Sequence, residues 1–449
     1  MEDLRVLLPL TLVVLVVVLA AFAAASFDAL LKGCFELRRI LRSTSYDFDS
    51  LLLKSPLVPG ISVVFAPRDA SPESRALARR LLDLHFGRHE LVLVLDALPP
   101  AALDRWIADF HLVRRERVVP EDLPTEAIRG YYVSQDPLRL LAIDKQPGGV
   151  ADAFNAGVNA AQYSVIGLVD AGAEFIPEVL LRLIRPMLGD WDGTVAVCAV
   201  APPPPVPGLV GSIGALEWRR LWLARCGAFS AWQRLLPVPG AFLVVKRDAV
   251  RAVGGFRAGP LELFLDLHAA ARTNGLRWRT AFVASPVSFR PAARSWRDLH
   301  RQVRGDQRQL GSALQPLRPG PGREFFGLFC ARGLRPLLET AAYALAAAGW
   351  ITGLVPTALV ALVPVIAIGG AIVTSMAAVV LGELAQSSSM APSSLAILFL
   401  AAIPENLGYR QIRNLWLIAG YFGAPAPKKR KRGHPVKNRA PAIETSQKR

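Results

Sequence analysis

Two acidic side chains end apolar segments in a way that would allow them to bind one ligand together. Asp96 ends the run Glu90–Asp96, and Asp170 ends the run Val165–Asp170. Short apolar runs of this kind predict strands, and ligands of parallel α/β sheets bind beyond the carboxyl ends of the strands. Asp96 and Asp170 are therefore expected at one edge of a sheet. The structural alternative is that each carboxylate only caps the helix that follows.

The composition excludes several classes of protein. Four cysteines and six histidines in 449 residues show neither the density of a disulfide scaffold nor the spacing of a zinc site. Hydrophobic residues make up 52% of the chain, and the mean hydropathy is +0.33. That content excludes disorder throughout, and it exceeds the usual apolar share of a soluble domain. With a net charge of +16, it indicates a basic membrane protein with a sizeable polar domain.

Two segments without charged residues predict membrane helices. Residues 6–27 are long enough for one crossing, and the acidic residues before them are unlike the leader of a signal peptide. Residues 340–382 are too long for one crossing and predict two helices that turn at Gly353–Pro356, with core helices of a soluble domain as the alternative. A shorter apolar run, 395–403, predicts an interfacial or re-entrant segment.

Basic flanks predict the orientation of these helices. Basic residues at 32–42 and 428–439 favour the cytoplasmic side. We therefore expect a multi-pass protein of the cell membrane with three passes, the N-terminus outside, and the polar domain and tail cytoplasmic. The run Lys428–Arg432 is interpreted as an anchor on anionic membrane lipids rather than as a nucleic-acid-binding segment.

The polar part predicts an α/β fold, because apolar strand-like runs alternate with helical patterns between residues 61 and 188. Nearly continuous apolar strands further predict that the sheet is parallel. The predicted division is a transmembrane helix at 1–30, a juxtamembrane linker at 31–57, the α/β domain at 58–312, an interfacial connector at 313–333, a transmembrane hairpin at 334–385, an interfacial amphipathic segment at 386–423 and a basic disordered tail at 424–449.

A series of short motifs follows one order along the chain. They are Asp144–Gly157 (DKQPGGVADAFNAG), Val169–Gly172 (VDAG), Pro239–Phe242 (PGAF), Lys246–Phe256 (KRDAVRAVGGF), Ala281–Val287 (AFVASPV) and Glu405–Ile412 (ENLGYRQI). In this order they resemble the membrane-bound family 2 glycosyltransferases, the cellulose-synthase-like group, over nearly the whole chain. The resemblance implies a cytoplasmic GT-A domain, which is Rossmann-like and binds a nucleotide-sugar, between one N-terminal and two C-terminal transmembrane helices.

The resemblance also implies roles for individual residues. Asp96 matches the aspartate that holds the nucleoside. Asp170 matches the first aspartate of the D-x-D pair, which holds Mg²⁺ or Mn²⁺ on the diphosphate, and is the candidate metal ligand. The candidate nucleotide-sugar-binding residues are Asp96, Lys145, Asp152, Asn155, Asp170 and Gln302.

Several of the family's motifs are changed in this chain. The second aspartate of D-x-D is Gly172, which has no side chain to bind a metal. The E-D pair that supplies the general base falls on Gly259-Pro260, and neither residue can accept a proton. The Q-x-x-R-W motif keeps Gln302, but its Arg-Trp falls on Gly305-Asp306, and the lysine after the Gly-Gly pair is Val150. No catalytic residue is assigned, and the binding site is interpreted as vestigial.

Three functions remain open. The first is a non-catalytic glycosyltransferase-like protein of glycan or polysaccharide synthesis, which needs no cofactor and binds an active glycosyltransferase or another membrane subunit. The second is an active inverting glycosyltransferase that uses a divalent metal, a UDP-sugar and relocated groups such as Glu262, Asp266 or Asp306. Solvated surface charges are the plainer interpretation of Glu262 and Asp266. The third is a membrane scaffold or lipid-binding protein without a sugar ligand.

Overall fold

The centre of the polar part is a nine-stranded mixed sheet. The computed structural model describes residues 2–43, 57–135, 139–170, 173–199, 207–232, 242–283, 287–289, 292–314, 326–327, 329–386 and 391–423. The predicted tail at 424–449 and Gly172 therefore lie outside the described residues. The strands are β1 Ile61–Phe65, β2 His89–Asp96, β3 Leu112–Arg115, β4 Ile128–Ser134, β5 Leu140–Lys145, β6 Val165–Leu168, β7 Glu174–Phe175, β8 Thr194–Ala199, β9 Phe242–Lys246, β10 Arg279–Val283 and β11 Ser288–Phe289.

The order of strands across the sheet is β10-β8-β9-β6-β1-β2-β5-β4-β3, and β7 and β11 form a separate pair. β1 pairs in parallel with β2 and β6, and β2 with β5. The predicted parallel pairing is confirmed for these strands, but the sheet as a whole is mixed, because β3, β4 and β9 run antiparallel to their neighbours. Strands β3 and β4 could not be predicted from the sequence, since both are mostly half-buried or exposed and lack a continuous apolar run.

Helices cover both faces of this sheet, and together they bury two large apolar clusters. The first of these helices is capped, since the Ser71 side chain accepts a hydrogen bond from Ser74 N and Pro72 opens the helix. The helices of the polar part are α2 Pro72–Leu82, α3 Pro100–Phe110, α4 Val150–Ala160, α5 Val179–Gly189, α6 Leu209–Trp232, α7 Arg247–Ala252, α8 Pro260–Thr273 and α9 Trp296–Leu314.

The first helix, α1, runs from Glu2 to Ser43 without a break. The predicted linker at 31–57 is therefore helical as far as Ser43, which is nearly half of its length. This helical part packs against the polar part of the protein, because Leu30, Cys34 and Leu37 are buried in the same apolar cluster as Trp222 of α6. The N-terminal helix is thus joined to the polar part by a shared core and not only by the chain.

Among the described residues, two helical segments are long and apolar enough to cross a membrane, Arg5–Arg42 and Thr357–Ala385. The predicted turn between the C-terminal helices is present, with Gly353 in the left-handed region at φ 66°. The C-terminal helices are α10 Arg335–Ile351, α11 Thr357–Pro364, α12 Gly370–Gln386, α13 Pro392–Pro404 and α14 Arg410–Phe422, with π-helical turns at Cys330–Leu334, Val365–Gly369 and Glu405–Tyr409.

The predicted interfacial segment, 386–423, makes extensive contacts with the rest of the protein. Leu398, Ala401 and Ala402 of α13 are buried against Leu216 of α6 and Val379 of α12. One face of α13 is therefore part of the protein interior, although the opposite face remains exposed.

Buried ion pairs join this C-terminal segment to α6 and α10. Arg220 of α6 lies 2.5 Å from Glu405, and a second pair on α6 joins Glu217 to Arg413 at 2.6 Å. The guanidinium of Arg410 donates two hydrogen bonds, at 2.9 and 2.8 Å, to the carboxylate of Glu339 on α10. The motif Glu405–Ile412 thus has a structural explanation, because its charged members are the partners of these buried groups.

A close approach of α4 to the sheet yields the first prediction. A Cβ added at Gly157 would lie 2.3 Å from Cγ1 of Val64 on β1. We expect Gly157→Ala to lower the free energy of unfolding by about 1–3 kcal/mol, because the overpacked methyl group forces α4 away from β1. Thermal or denaturant unfolding of the purified protein measures this loss.

The matched control is the same substitution at Gly305 of α9, where an added Cβ meets nothing within 4 Å. Because alanine is the better helix former, Gly305→Ala is expected to raise stability by up to about 1 kcal/mol. Equal losses in the two variants would contradict the close-packing explanation.

Candidate functional site

The candidate site lies at one edge of the sheet. Because β1, β2, β5 and β6 are parallel, their carboxyl ends share that edge. Asp96 ends β2, Lys145 ends β5 as its register partner, and Asp170 follows β6. The strand order also reverses here, since β1 lies between β2 and β6, and such switch points are where α/β sheets bind ligands.

A buried lysine links two of the candidate carboxylates. Nζ of Lys145 lies 3.0 Å from Oδ1 of Asp96 and 2.5 Å from Oδ1 of Asp152, and it donates a hydrogen bond of 2.7 Å to the carbonyl of Gln146. The Lys145 side chain is completely buried. A buried ammonium is costly unless it is paired and hydrogen-bonded, so these oxygens are what keeps it in place.

Asp96 also holds the glycine loop that follows β5. Gly148 N donates to its Oδ1 at 2.9 Å, and Gly149 N donates to its Oδ2 at 2.7 Å. Burial acts to raise the pKa of Asp96, but the hydrogen bonds from Gly148, Lys145 and Gly149 outweigh it and hold the pKa below its usual value. Gly149 adopts φ 88°, a conformation that favours glycine. Asp96 therefore acts as an ionised anchor for this loop.

Two candidates on α4 bond to the protein itself. Oδ2 of Asp152 accepts a hydrogen bond of 2.9 Å from Glu126 N. The buried Asn155 side chain donates to the carbonyl of Phe256 at 3.0 Å and accepts from Phe256 N at 2.8 Å. Asn155 therefore ties α4 to the Gly-Gly-Phe turn and does not belong to the network around Lys145.

Asp170 and Gln302 occupy different places. The Asp170 side chain is exposed at the sheet edge. Gln302 lies on α9 in a small cavity between α6, α9 and the turn at 330–334, which is also lined by Glu217, Asp306 and Arg332. The structure thus brings Asp96, Lys145 and Asp152 together in one network, and Gln302 belongs to another region.

The residues present do not fit a divalent cation on a diphosphate. Within the part of the chain that the structure describes, no group of three or more His, Cys, Asp or Glu side chains is arranged to hold a metal ion. Asp170 is a single carboxylate, and position 172 is a glycine. Mg²⁺ is usually held by one or two carboxylates together with substrate phosphates, so Asp170 alone supplies the minimum for such a site and the D-x-D pair is incomplete.

A cleft beside the network escaped the sequence analysis. It has a volume of about 570 Å³, and its lining includes Arg68, Asp69 and Ser71 from the loop after β1 and Arg105 of α3. Hydrogen bonds from Ser74 and Ser71 hold the pKa of Asp69 below its usual value. The volume suits a small ligand, and arginine side chains suit one that bears phosphate. In the sequence, Arg68 and Asp69 directly after β1 could have indicated this cleft.

The plainer interpretation of Glu262 and Asp266 as solvated surface charges is wrong. Glu262 is only 3% exposed, and Asp266 is also largely buried. Arg257 donates hydrogen bonds to both carboxylate oxygens of Asp266 and lies 3.7 Å from Glu262. Burial of α8 under the Gly-Gly-Phe turn explains the difference, because a buried carboxylate requires a cation beside it.

No protein-family model matches the sequence, and no curated protein matches it either. Among solved structures, the chain is similar to a mannosyltransferase from Pyrobaculum calidifontis in complex with GDP-Man and Mn²⁺. The identity is 18% and the TM-score 0.47, over 91% of this chain and 98% of the other. It is also similar to glucosyl-3-phosphoglycerate synthase from Mycobacterium tuberculosis in complex with Mn²⁺, UDP and phosphoglyceric acid. That identity is 14% and the TM-score 0.36, over 59% of this chain and 82% of the other. At these TM-scores neither activity is transferred to this chain.

The buried lysine yields the second prediction. Lys145→Met leaves the Asp96 and Asp152 carboxylates without their shared cation, so we expect a loss of about 3 kcal/mol in the free energy of unfolding. Adding Asp152→Asn to this variant should recover part of the loss, because it removes one of the unpaired charges. Denaturant unfolding at neutral pH measures both effects.

The control is Lys32→Met on α1, which breaks the exposed pair between Lys32 and Asp28. Exposed pairs contribute at most about 1 kcal/mol, so this variant should remain close to the wild type. A Lys145→Met protein as stable as the control would contradict a structural role for the network.

Proposed function

We propose that the chain is a membrane-anchored, family 2 glycosyltransferase-like protein with impaired catalysis, which acts as a partner subunit in glycan or polysaccharide synthesis. The observation that carries this proposal is the replacement of both reactive positions. Gly172 stands where a second metal ligand is required, and Gly259-Pro260 stands where the family has its general base. Neither position offers an oxygen or nitrogen side chain, so the leaving diphosphate and the acceptor hydroxyl both lose their partners.

The arrangement of the neighbouring acids supports the same proposal. Glu262 and Asp266 are the nearest acids in sequence that could replace the lost base, but Arg257 pairs with both. Asp96 and Asp152 are bound to Lys145 and to backbone N–H groups. These four acids thus stabilise the fold of the domain. In this proposal the edge of the sheet is kept as a binding surface.

The role left for the sheet edge is to bind a ligand without turnover. The cleft beyond β1 and β2 carries the exposed arginines Arg68 and Arg105, which can bind phosphate oxygens without a metal ion. A nucleotide-sugar or nucleotide bound there would stabilise the fold or report the availability of the nucleotide-sugar to the partner enzyme. In this proposal no bond to the sugar is broken by this chain.

An active inverting nucleotide-sugar-dependent glycosyltransferase is the second candidate. It is favoured by the position of Asp306, which lines one cavity together with Gln302 and Glu217. Because the resemblance assigns the Q-x-x-R-W helix to the pyrophosphate and the acceptor, Asp306 on that helix is the first acid to consider as a replacement for the lost base. This enzyme would require a divalent metal and a UDP-sugar.

The third prediction separates these two functions. We expect no Mn²⁺-dependent release of UDP from UDP-sugar by the full-length protein in detergent. Asp170→Ala should leave nucleotide binding unchanged, because a metal held by one carboxylate contributes little. Gly172→Asp should raise Mn²⁺-dependent UDP affinity about tenfold, or about 1.4 kcal/mol, without turnover, since no base is restored. Calorimetry with and without Mn²⁺, beside a UDP-release assay, measures this.

The control for Gly172→Asp is Gly172→Asn, which has nearly the same size but is a weaker metal ligand. Turnover of UDP-sugar by the wild-type protein that Asp170→Ala abolishes would contradict the proposal. Asp306→Asn would then be the first variant to test for the missing base.

Membrane placement belongs to the same proposal. The basic flanks at 32–42 and 428–439 support a cytoplasmic polar domain and tail, with residue 1 outside and three passes. Our fourth prediction is that a reporter fused after residue 449 is active only on the cytoplasmic side, while a tag before residue 1 is accessible from outside. A C-terminal reporter on the outer face would contradict the three-pass arrangement.

A further inference from the structure

The exposed side of α9 carries a stripe of arginines. Arg297, Arg301, Arg304 and Arg308 follow each other at intervals of four, three and four residues, which places them on one face of the helix. Arg297, Arg301 and Arg308 are exposed, and Arg304 is half-buried. The stripe is about 16 Å long at the usual rise of a helix.

The described residues compensate little of the positive charge of this stripe. Arg301 lies 3.7 Å from Asp298, at the outer limit of an ion pair. Arg297, Arg304 and Arg308 form no ion pair with another described residue. Like charges at these spacings repel one another, so the stripe would be stabilised by an anion from outside the chain.

An exposed apolar face lies on α14 beside this stripe. Ile412, Leu415 and Phe422 project from the same side of α14 and are 49%, 56% and 71% exposed. The opposite side of α14 is buried, and its Arg410 pairs with Glu339 on α10. On α13, Ile397 and Leu400 are also more than half exposed.

The two faces belong to one surface of the protein. α9 and α14 run side by side in the same direction. Trp296 contacts Tyr409, which directly precedes α14; His300 contacts Trp416, and Gln307 lies against Gly420. The back of α9 rests on α6 around Trp218, and the back of α14 rests on α10. For parallel helices in this arrangement, the arginine stripe and the apolar face point to the same open side.

We propose that the outer surface of α9 and α14 binds anionic phospholipid headgroups at the membrane. An apolar face beside a row of cations matches the boundary between acyl chains and phosphates. Arginine is suited to phosphate oxygens, because its guanidinium donates two parallel hydrogen bonds. The contact of α14 with α10, in the C-terminal helical hairpin, connects this surface to the candidate membrane segments. The inference depends on membrane placement, but not on nucleotide binding or catalysis.

Hydrogen exchange of the full-length protein tests this proposal. The protein is placed in nanodiscs of phosphatidylcholine alone or with added phosphatidylglycerol, and exchange is followed in peptides of α9. We expect exchange in α9 to slow several-fold with the anionic lipid, since each arginine near an anionic surface contributes a factor of about five in binding. Added salt should reduce this protection, because it screens the charges. Peptides of the basic tail report on the tail separately.

The test variant combines Arg297→Gln, Arg301→Gln and Arg308→Gln, and it should lose the protection by anionic lipid. The matched control combines Arg115→Gln, Arg139→Gln and Arg277→Gln, three exposed arginines of the polar part, so the net charge changes equally. This control should keep the protection. Circular dichroism and thermal unfolding verify that both variants are folded.

Three outcomes would overturn the proposal. The first is equal α9 exchange of the wild type in both lipids. The second is equal loss of protection in the control, which would indicate a general charge effect. The third is the same protection in phosphatidylcholine nanodiscs on addition of inorganic phosphate, which would indicate a free-phosphate site instead of a lipid surface.

Discussion

The arrangement of the C-terminal half depends on the pairing of charges that are buried next to apolar helices. Glu339 and Glu405 are almost completely buried and Arg220 is largely buried, and an isolated buried ion costs several kcal/mol even after relaxation. Each has a partner from another helix, so helices α6, α10 and α14 can pack together only in positions that satisfy these pairs. This requirement specifies the relative placement of helices that are apolar over much of their surface, for which apolar packing alone would allow several registers.

The same rule governs the sheet edge on a smaller scale. Lys145 is completely buried, so the carboxylates of Asp96 and Asp152 must lie beside it. Through Asp96 this pairing also holds the Gly148-Gly149 loop, and through Asp152 it holds the backbone at Glu126. An acid used in this way is a structural element. The side chains that shape this edge of the sheet are thus held in place by pairing within the domain.

Much of the architecture was predictable from the sequence, because it depends on local patterns. Runs such as Leu91–Leu95 are apolar throughout, and such runs are buried on both faces of a sheet. The cap at Ser71, the turn at Gly353 and the uncharged helices follow from single residues or from length. Strands β3 and β4 were missed, because their residues are mostly half-buried or exposed and carry no clear alternation. Their antiparallel pairing depends on the partner strand and not on their own composition.

The sequence by itself determined which functional groups the chain lacks, since no fold can give Gly172 a carboxylate or Gly259-Pro260 a base. It also determined which segments are apolar enough to lie in a membrane. Only the tertiary structure decided what the remaining polar groups do. Asn155 bonds to Phe256, 101 residues away, and Glu262 is buried beside Arg257, although local spacing left both available for chemistry. Such contacts join residues that are distant in the chain or turned inward by packing, and they form only when burial forces each polar group to find a partner.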